Sequence, residues 1–287
     1  MLQVARLAPN LLGEARDLVP AFLRRCLNAD GGFQDRGGAS DLYYTVFGLE
    51  GLLAFREDPP DATRRYLEGF GGGTSLDFVH LCCLARAWAS ASPGGAPPDT
   101  AAEIRVRLDG FRAADGGYAL NPEGVDSTIY ATFLALGAVE DLKADLVDRE
   151  ALLRSLASCR AADGGYANHR GAVDGSTPAT AAAVTIMRHL DAEPDPSPAA
   201  WLLARCHRDG GFFAAPGAPL PDLLSTATAL HALTAVHAPI AALREPCLDF
   251  LDTLWTSAGG FHGSWPDDTL DCEYTYYGLL ALGHLSL

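Results

Sequence analysis

Apolar residues recur at three- and four-residue spacing in short segments that stop at paired glycines and resume, almost free of charge, about ten residues later. The segments before the glycines, such as Val19-Pro20-Ala21-Phe22-Leu23-Arg24-Arg25-Cys26-Leu27 and Ala151-Leu152-Leu153-Arg154-Ser155-Leu156, accompany arginine or glutamate on one side. That is the pattern of an amphipathic helix. The segments after them, such as Ile129-Tyr130-Ala131-Thr132-Phe133-Leu134-Ala135-Leu136, are rich in alanine and leucine and free of interior proline. A helix apolar all round is predicted to be buried.

The punctuation between segments repeats. Asp30-Gly31-Gly32-Phe33, Asp115-Gly116-Gly117-Tyr118, Asp163-Gly164-Gly165-Tyr166, Asp209-Gly210-Gly211-Phe212 and Ala258-Gly259-Gly260-Phe261 are five copies of one block. Their leading glycines are 85, 48, 46 and 49 residues apart, so the first interval holds almost two periods. Gly71-Gly72-Gly73, followed by Asp77 and an apolar stretch, fills it as a degenerate second copy. An aspartate follows the leading glycine by ten residues at Asp41, Asp126 and Asp174 and by twelve at Asp222 and Asp271. Each stands where a helix N-cap is expected.

Six units of helix, Gly-Gly-aromatic loop and helix predict an all-α fold in two concentric layers, amphipathic helices outside and uncharged ones inside. This is an α/α toroid, a closed double ring, formed by residues 1–287 as a single domain. An open superhelix of the HEAT or armadillo kind has a similar period, roughly 40–47 residues. Closure is favoured because neither end shows the polar capping repeat that an open stack requires. The last apolar helix, running into Leu285-Ser286-Leu287, is expected to pack against the first repeat.

Composition supports a sizeable core, with 48% hydrophobic and 20% charged residues. The formal charge of −15 repels nucleic acid and anionic membranes. No apolar run reaches the roughly 18 residues of a membrane span, and Glu14 and Asp17 stand where a signal peptide would stay apolar, so the chain is read as cytoplasmic. Seven cysteines without a CxxC pair read as mostly free thiols. Cys26, Cys159 and Cys206 precede their glycines by four or five residues and occupy one recurrent core slot.

Repeated Gly-Gly-aromatic loops, an aspartate about ten residues on and an apolar inner helix resemble the repeats of protein prenyltransferase β subunits and of squalene and terpene cyclases. The stretch from Gly259 through Tyr277-Gly278-Leu279-Leu280-Ala281-Leu282 is most similar to the prenyltransferases. The resemblance spans almost the whole chain. It implies a central apolar cavity for an isoprenoid, with or without its diphosphate, transfer or cyclisation as the reaction, and an α-helical protein partner of the kind prenyltransferase β subunits have. The prenyltransferases hold zinc with an Asp-x-Cys pair at the head of one late inner helix and a histidine three residues after an aspartate at the last. Here those segments read Asp222-Leu223-Leu224 and Asp271-Cys272-Glu273-Tyr274, so two of three ligands are replaced. The cationic loop that holds diphosphate in that family reads Gly210-Gly211-Phe212-Phe213-Ala214-Ala215-Pro216-Gly217. The Asp-x-Asp-Asp acid of the cyclases has no match either, Trp265-Pro266-Asp267-Asp268 lacking the leading aspartate.

Parallel inner helices bring their N-termini to one mouth of the cavity. The candidate catalytic groups there are Asp271, Cys272, Tyr274, Asp222, Asp126 and Asp174. An aspartate in a dry cavity is held protonated and can act as an acid, and Cys272, in a first helical turn, reads as a nucleophile or ligand. The candidate ligand-binding set is Asp41, Tyr43, Tyr44, His80, Tyr130, His169, Arg170, Glu273, Tyr276 and Tyr277. His262 is placed at the mouth with them, and His189 and His231 deeper, as satisfied core residues. A substitute metal site, for zinc or magnesium, is drawn from Asp77, His80, Asp271 and Cys272, because Asp77 and His80 share a helical face. The competing function is a carrier or scaffold that keeps the ring and has lost the chemistry.

Overall fold

The computed structural model describes residues 1–145, 148–192 and 195–287. Two sets of helices alternate along the chain. The outer set comprises α1 (Leu18–Arg25), α3 (Asp61–Glu68), α5 (Pro98–Asp109), α7 (Arg149–Ser158), α9 (Ser197–Leu203) and α11 (Arg244–Leu254). The inner set comprises α2 (Leu42–Ala54), α4 (Phe78–Ala91), α6 (Ile129–Asp141), α8 (Thr177–His189), α10 (Leu223–Ala235) and α12 (Cys272–Leu285). Each inner helix packs on the next around a circle, and α12 packs back on α2, which closes the ring. The short turn Leu2–Ala5 lies against both α12 and α2 and covers that seam.

Caps define the inner helices, and two of them differ from expectation. Asp41, Asp77, Asp222 and Asp271 accept backbone N–H bonds from the first turns of α2, α4, α10 and α12. In the third and fourth units the caps are Thr128 and Ser176, whose hydroxyls accept from Ala131 and Ala179. Asp126 and Asp174 lie two residues earlier, in the loops. Asp126 instead pairs with Arg170 at 2.8 Å, and Asp174 is exposed. An aspartate and a hydroxyl residue two positions apart offer rival caps, and the hydroxyl residue occupies the extended backbone that the cap needs.

The corner between loop and inner helix is built alike in five units. The backbone N–H of the aromatic residue after the glycines donates to a buried threonine hydroxyl four residues past the cap: Phe33 to Thr45, Tyr118 to Thr132, Tyr166 to Thr180, Phe212 to Thr226 and Phe261 to Thr275, over 2.9–3.4 Å. All five threonines are buried. The degenerate second unit has Leu81 at the matching position, and that side chain packs towards Gly73.

Four leading glycines, Gly31, Gly116, Gly210 and Gly259, carry a close contact between neighbouring units. Gly31 has φ +97°, and a Cβ there would strike the backbone of Ala62 in α3; Gly210 stands likewise against Pro246 in α11. Gly259, at φ +91°, meets the Leu18 carbonyl of α1, so the seam repeats the contact found inside the ring.

Gly259→Ala is expected to destabilise the fold by more than about 1 kcal/mol through strain at positive φ and the clash with Leu18; a thermal unfolding midpoint equal to that of the parent chain would contradict this account of the seam. Thr132→Val, which leaves the Tyr118 N–H buried without an acceptor, is expected to cost about 1–3 kcal/mol in urea unfolding, with Thr132→Ser closer to the parent.

Candidate functional site

Three inner helices are tied at their starts to the loop of the following unit, and side chains link others. Ile129 N–H donates to Asn168 O at 3.2 Å, Thr177 N–H to Ala214 O at 2.7 Å and Leu223 N–H to Gly263 O at 2.9 Å. Across the seam, Arg36 of the first loop donates from Nε to Asp271 Oδ2 at 2.8 Å and from Nη2 to Asp267 Oδ2 at 2.9 Å. Between the first and second units, His80 Nε2 lies 3.0 Å from Asp41 Oδ2 while its Nδ1 lies 2.8 Å from Asp77 Oδ1. These links form a polar rim.

Below the rim, a cavity of about 550 Å³ runs between the six inner helices, within the roughly 300–1,000 Å³ of small-molecule sites. At the rim end its wall is aromatic. Tyr43 stands edge-on to Phe47 at 5.0 Å, Phe47 tilts against Tyr277 at 5.5 Å, and Tyr130 and Leu224 face in from α6 and α10.

Glu273 is the carboxyl in that wall. Burial is the main force on it and pushes its pKa up from 4.5 to about 7. The Tyr43 hydroxyl, donating to Glu273 Oε1 over 2.6 Å, works in the opposite direction by favouring the carboxylate. Near neutral pH this residue is present in both forms, which suits a group that donates and recovers a proton.

The candidate residues thus separate. Tyr43, Tyr130, Glu273, Tyr276 and Tyr277 line the cavity. Asp41, Asp77, His80 and Asp271 belong to the rim, and Asp222 is a cap held by the Ser225 hydroxyl at 2.8 Å. Tyr274 lies in the rim with Arg36 5.4 Å above its ring. Tyr44 is half-buried and is not part of the cavity wall. His169 and Arg170 are exposed on a loop. Cys272 is fully buried and turned away from the mouth: its thiol meets Cys26 of the outer layer, and that contact together with burial raises its pKa well above the ordinary value. A neutral thiol facing the outer helices is neither nucleophile nor ligand. His231 is a cavity residue, bonded through Nδ1 to His284 Nε2 at 2.9 Å; burial pulls their pKa values down to about 4 and about 3, leaving both neutral at pH 7. His189 lines the cavity at its other end and is 3.9 Å from Glu140.

Zinc, which the family resemblance implies, does not fit these residues. Leu224 offers no ligand atom, the Tyr274 phenol is pushed up to about 12 by burial, and Arg36 holds Asp271. Asp77, His80, Asp271 and Cys272 are not brought together, and among the described residues no group of three histidine, cysteine, aspartate or glutamate side chains is arranged to hold a metal. Among the described residues no helix is long and apolar enough to cross a membrane.

Three functional-looking residues carried no sequence signal: Glu50, Arg86 and Asp141, which meet where α2, α4 and α6 approach their C-terminal ends. Arg86 Nε is 2.7 Å from Glu50 Oε1, and Arg86 Nη1 donates to Asp141 Oδ1 at 3.0 Å. All three line the cavity.

Geometry and fold together define an α/α toroid around an apolar, aromatic-walled chamber. A family model for the prenyltransferase alpha-alpha toroid domain matches residues 13–82, 96–193 and 179–286, and the chain belongs to that family. Among solved structures it is similar to a type II terpene cyclase, MstE from Scytonema, seen in complex with merosterolic acid A as product, at TM-score 0.69 and 16% identity over 97% of each chain. It is also similar to Candida albicans protein geranylgeranyltransferase-I complexed with GGPP, at TM-score 0.66 and 16% identity over 94% of this chain and 90% of that one. A third similar fold is the GH76A alpha-1,6-mannanase of Salegentibacter sp. HEL1_6, at TM-score 0.63 and 14% identity, covering 95% and 98% of the two chains. No protein of curated function matches the sequence.

The Glu273 carboxyl is expected to titrate near pH 7 when followed by NMR of carbon-labelled glutamate. Because the Tyr43 hydrogen bond stabilises the charged form, Tyr43→Phe should move that titration upward, and a downward move would refute the assignment. The sign for stability is also set. Between pH 4.5 and about 7 the unfolded state ionises this group while the folded state keeps the proton, so its contribution to stability falls across that interval.

Proposed function

We propose that this toroid binds an isoprenoid in its central cavity and cyclises it after protonation by Glu273. The single observation that carries the proposal is a carboxyl set in the aromatic wall of the cavity and hydrogen-bonded to Tyr43, where burial raises its pKa. The Glu273 proton adds to one carbon of a double bond, the neighbouring carbon becomes cationic, and the next double bond attacks it to form a ring. Loss of a proton from the product cation, returned through water to Glu273, restores the acid. The faces of Tyr43, Phe47, Tyr130 and Tyr277 stabilise the positive charge by cation–π attraction.

The charge at the mouth favours cyclisation over transfer from a diphosphate. Asp41, Asp77, Asp267 and Asp271 there outnumber Arg36 and His80, and Arg36 already serves two of the carboxylates. A diphosphate needs charge-assisted donors. The isoprenoid bound between the cyclase and the transferase of similar fold is the common chemistry on which the substrate class rests.

Purified protein incubated with geraniol, farnesol, geranylgeraniol and geranylgeranyl diphosphate, with extracts resolved by gas chromatography and mass spectrometry, tests this directly. A product of unchanged mass with fewer double bonds is expected from at least one alcohol. Its rate should fall as pH rises through about 7, and Glu273→Gln should lower turnover roughly 100-fold or more while the ligand still binds. Ligand bound and recovered unchanged would identify a carrier, and diphosphate release would identify a transferase.

A further inference from the structure

Tyr276 is 2% exposed, lines the cavity and packs its ring on Phe47 at 5.8 Å, yet its hydroxyl makes no hydrogen bond of good geometry, Glu50 being the acceptor within its reach. An unpaired buried hydroxyl costs on the order of 1–3 kcal/mol, and the packing of the ring would be served equally by phenylalanine. The nearest charge acting on it is that of Glu50. Glu50 in turn belongs to the cluster with Arg86 and Asp141, whose two carboxylates are 6% and 10% exposed and share one guanidinium. Four consecutive inner helices, α12, α2, α4 and α6, therefore bring polar atoms together beyond the aromatic wall, Tyr276 three residues past Glu273 and the cluster deeper in the cavity. The cluster carries one negative charge in excess when ionised.

A buried ion cluster is weak evidence of stabilisation, because desolvation offsets most of its attraction. Here it borders the cavity, beside a hydroxyl whose acceptor within reach, Glu50, is already engaged by Arg86. We propose that this end of the cavity is a second recognition point, where Tyr276 and the Glu50–Arg86–Asp141 cluster take a hydrogen-bond-donating terminus of the apolar ligand, a hydroxyl or an ammonium. The inference rests on the isoprenoid reading above and refines it. A prenyl alcohol enters hydroxyl first, so that the hydroxyl accepts from Tyr276 and donates to Glu50. Its terminal double bond is then left beside Glu273, which counted from the helix caps lies seven residues nearer the N-termini than Glu50, or roughly 10 Å at 1.5 Å per residue. A hydrocarbon would leave Tyr276 unpaired. A carboxylate or diphosphate would meet Glu50, Asp141 and Glu140 against Arg86 and the Met1 amino group, one negative charge in excess when all are ionised.

Equilibrium dialysis of the full chain against farnesol, farnesylamine, farnesoic acid and the matching triene hydrocarbon decides the matter. The alcohol and the amine are expected to bind roughly tenfold more tightly than the hydrocarbon, and the acid most weakly of the four. Tyr276→Phe should erase the alcohol's advantage and Glu50→Gln the amine's, with circular dichroism confirming the ring in each variant. The ranking on the unaltered chain is informative even where a variant does not fold. Equal binding of all four, or an alcohol preference that survives Tyr276→Phe, overturns the recognition point and leaves the cavity reading standing. Failure of all four to bind overturns both.

Discussion

A backbone N–H buried at the turn after each glycine pair must find an acceptor inside the protein, and the threonine hydroxyl one turn into the inner helix supplies it. This bond fixes the height of each inner helix relative to its own loop, because the threonine stands four residues past the cap in every unit that has it. Loops at a common height can then reach the start of the preceding inner helix, as Asn168, Ala214 and Gly263 do. The rim, and with it the common direction of the helices, depends on that corner.

What the ring encloses follows from which side chains its repeats leave facing inward. The residues that would complete a zinc site have become Leu224, part of an apolar wall, and Tyr274, a platform for Arg36. Glu273 shares that wall, and burial is what lifts it towards neutrality. Tyr43 moderates the shift, since its hydrogen bond favours the carboxylate.

The closed ring was legible because its determinants are periodic: paired glycines at a common interval and helices of two characters. The threonine of each corner is as periodic, twelve or fourteen residues after the aromatic at Thr45, Thr132, Thr180, Thr226 and Thr275, but its role was not legible because it does not differ in type from ordinary helix threonines. Rotation about a helix axis was not legible. Cys272 and Glu273 are adjacent, and about 100° separates a thiol facing the outer layer from a carboxyl facing the cavity. Asp126 and Asp174 show a second limit, where two good caps compete within three residues and backbone geometry selects the hydroxyl. The cluster of Glu50, Arg86 and Asp141 shows a third: single charges late in three separate helices have no spacing to reveal them, and only closure of the ring brings them together.

The shared direction of the inner helices has an electrical consequence. Each helix carries about half an elementary positive charge at its N-terminal end and the opposite at its C-terminal end. Six aligned around one chamber add along its axis, and the excess carboxylate beside Arg86 lies at the negative pole. At the rim the capping carboxylates of Asp41, Asp77, Asp222 and Asp271 offset the positive ends. The chamber is therefore polarised mainly from its far end, which draws positive charge inward, away from the mouth.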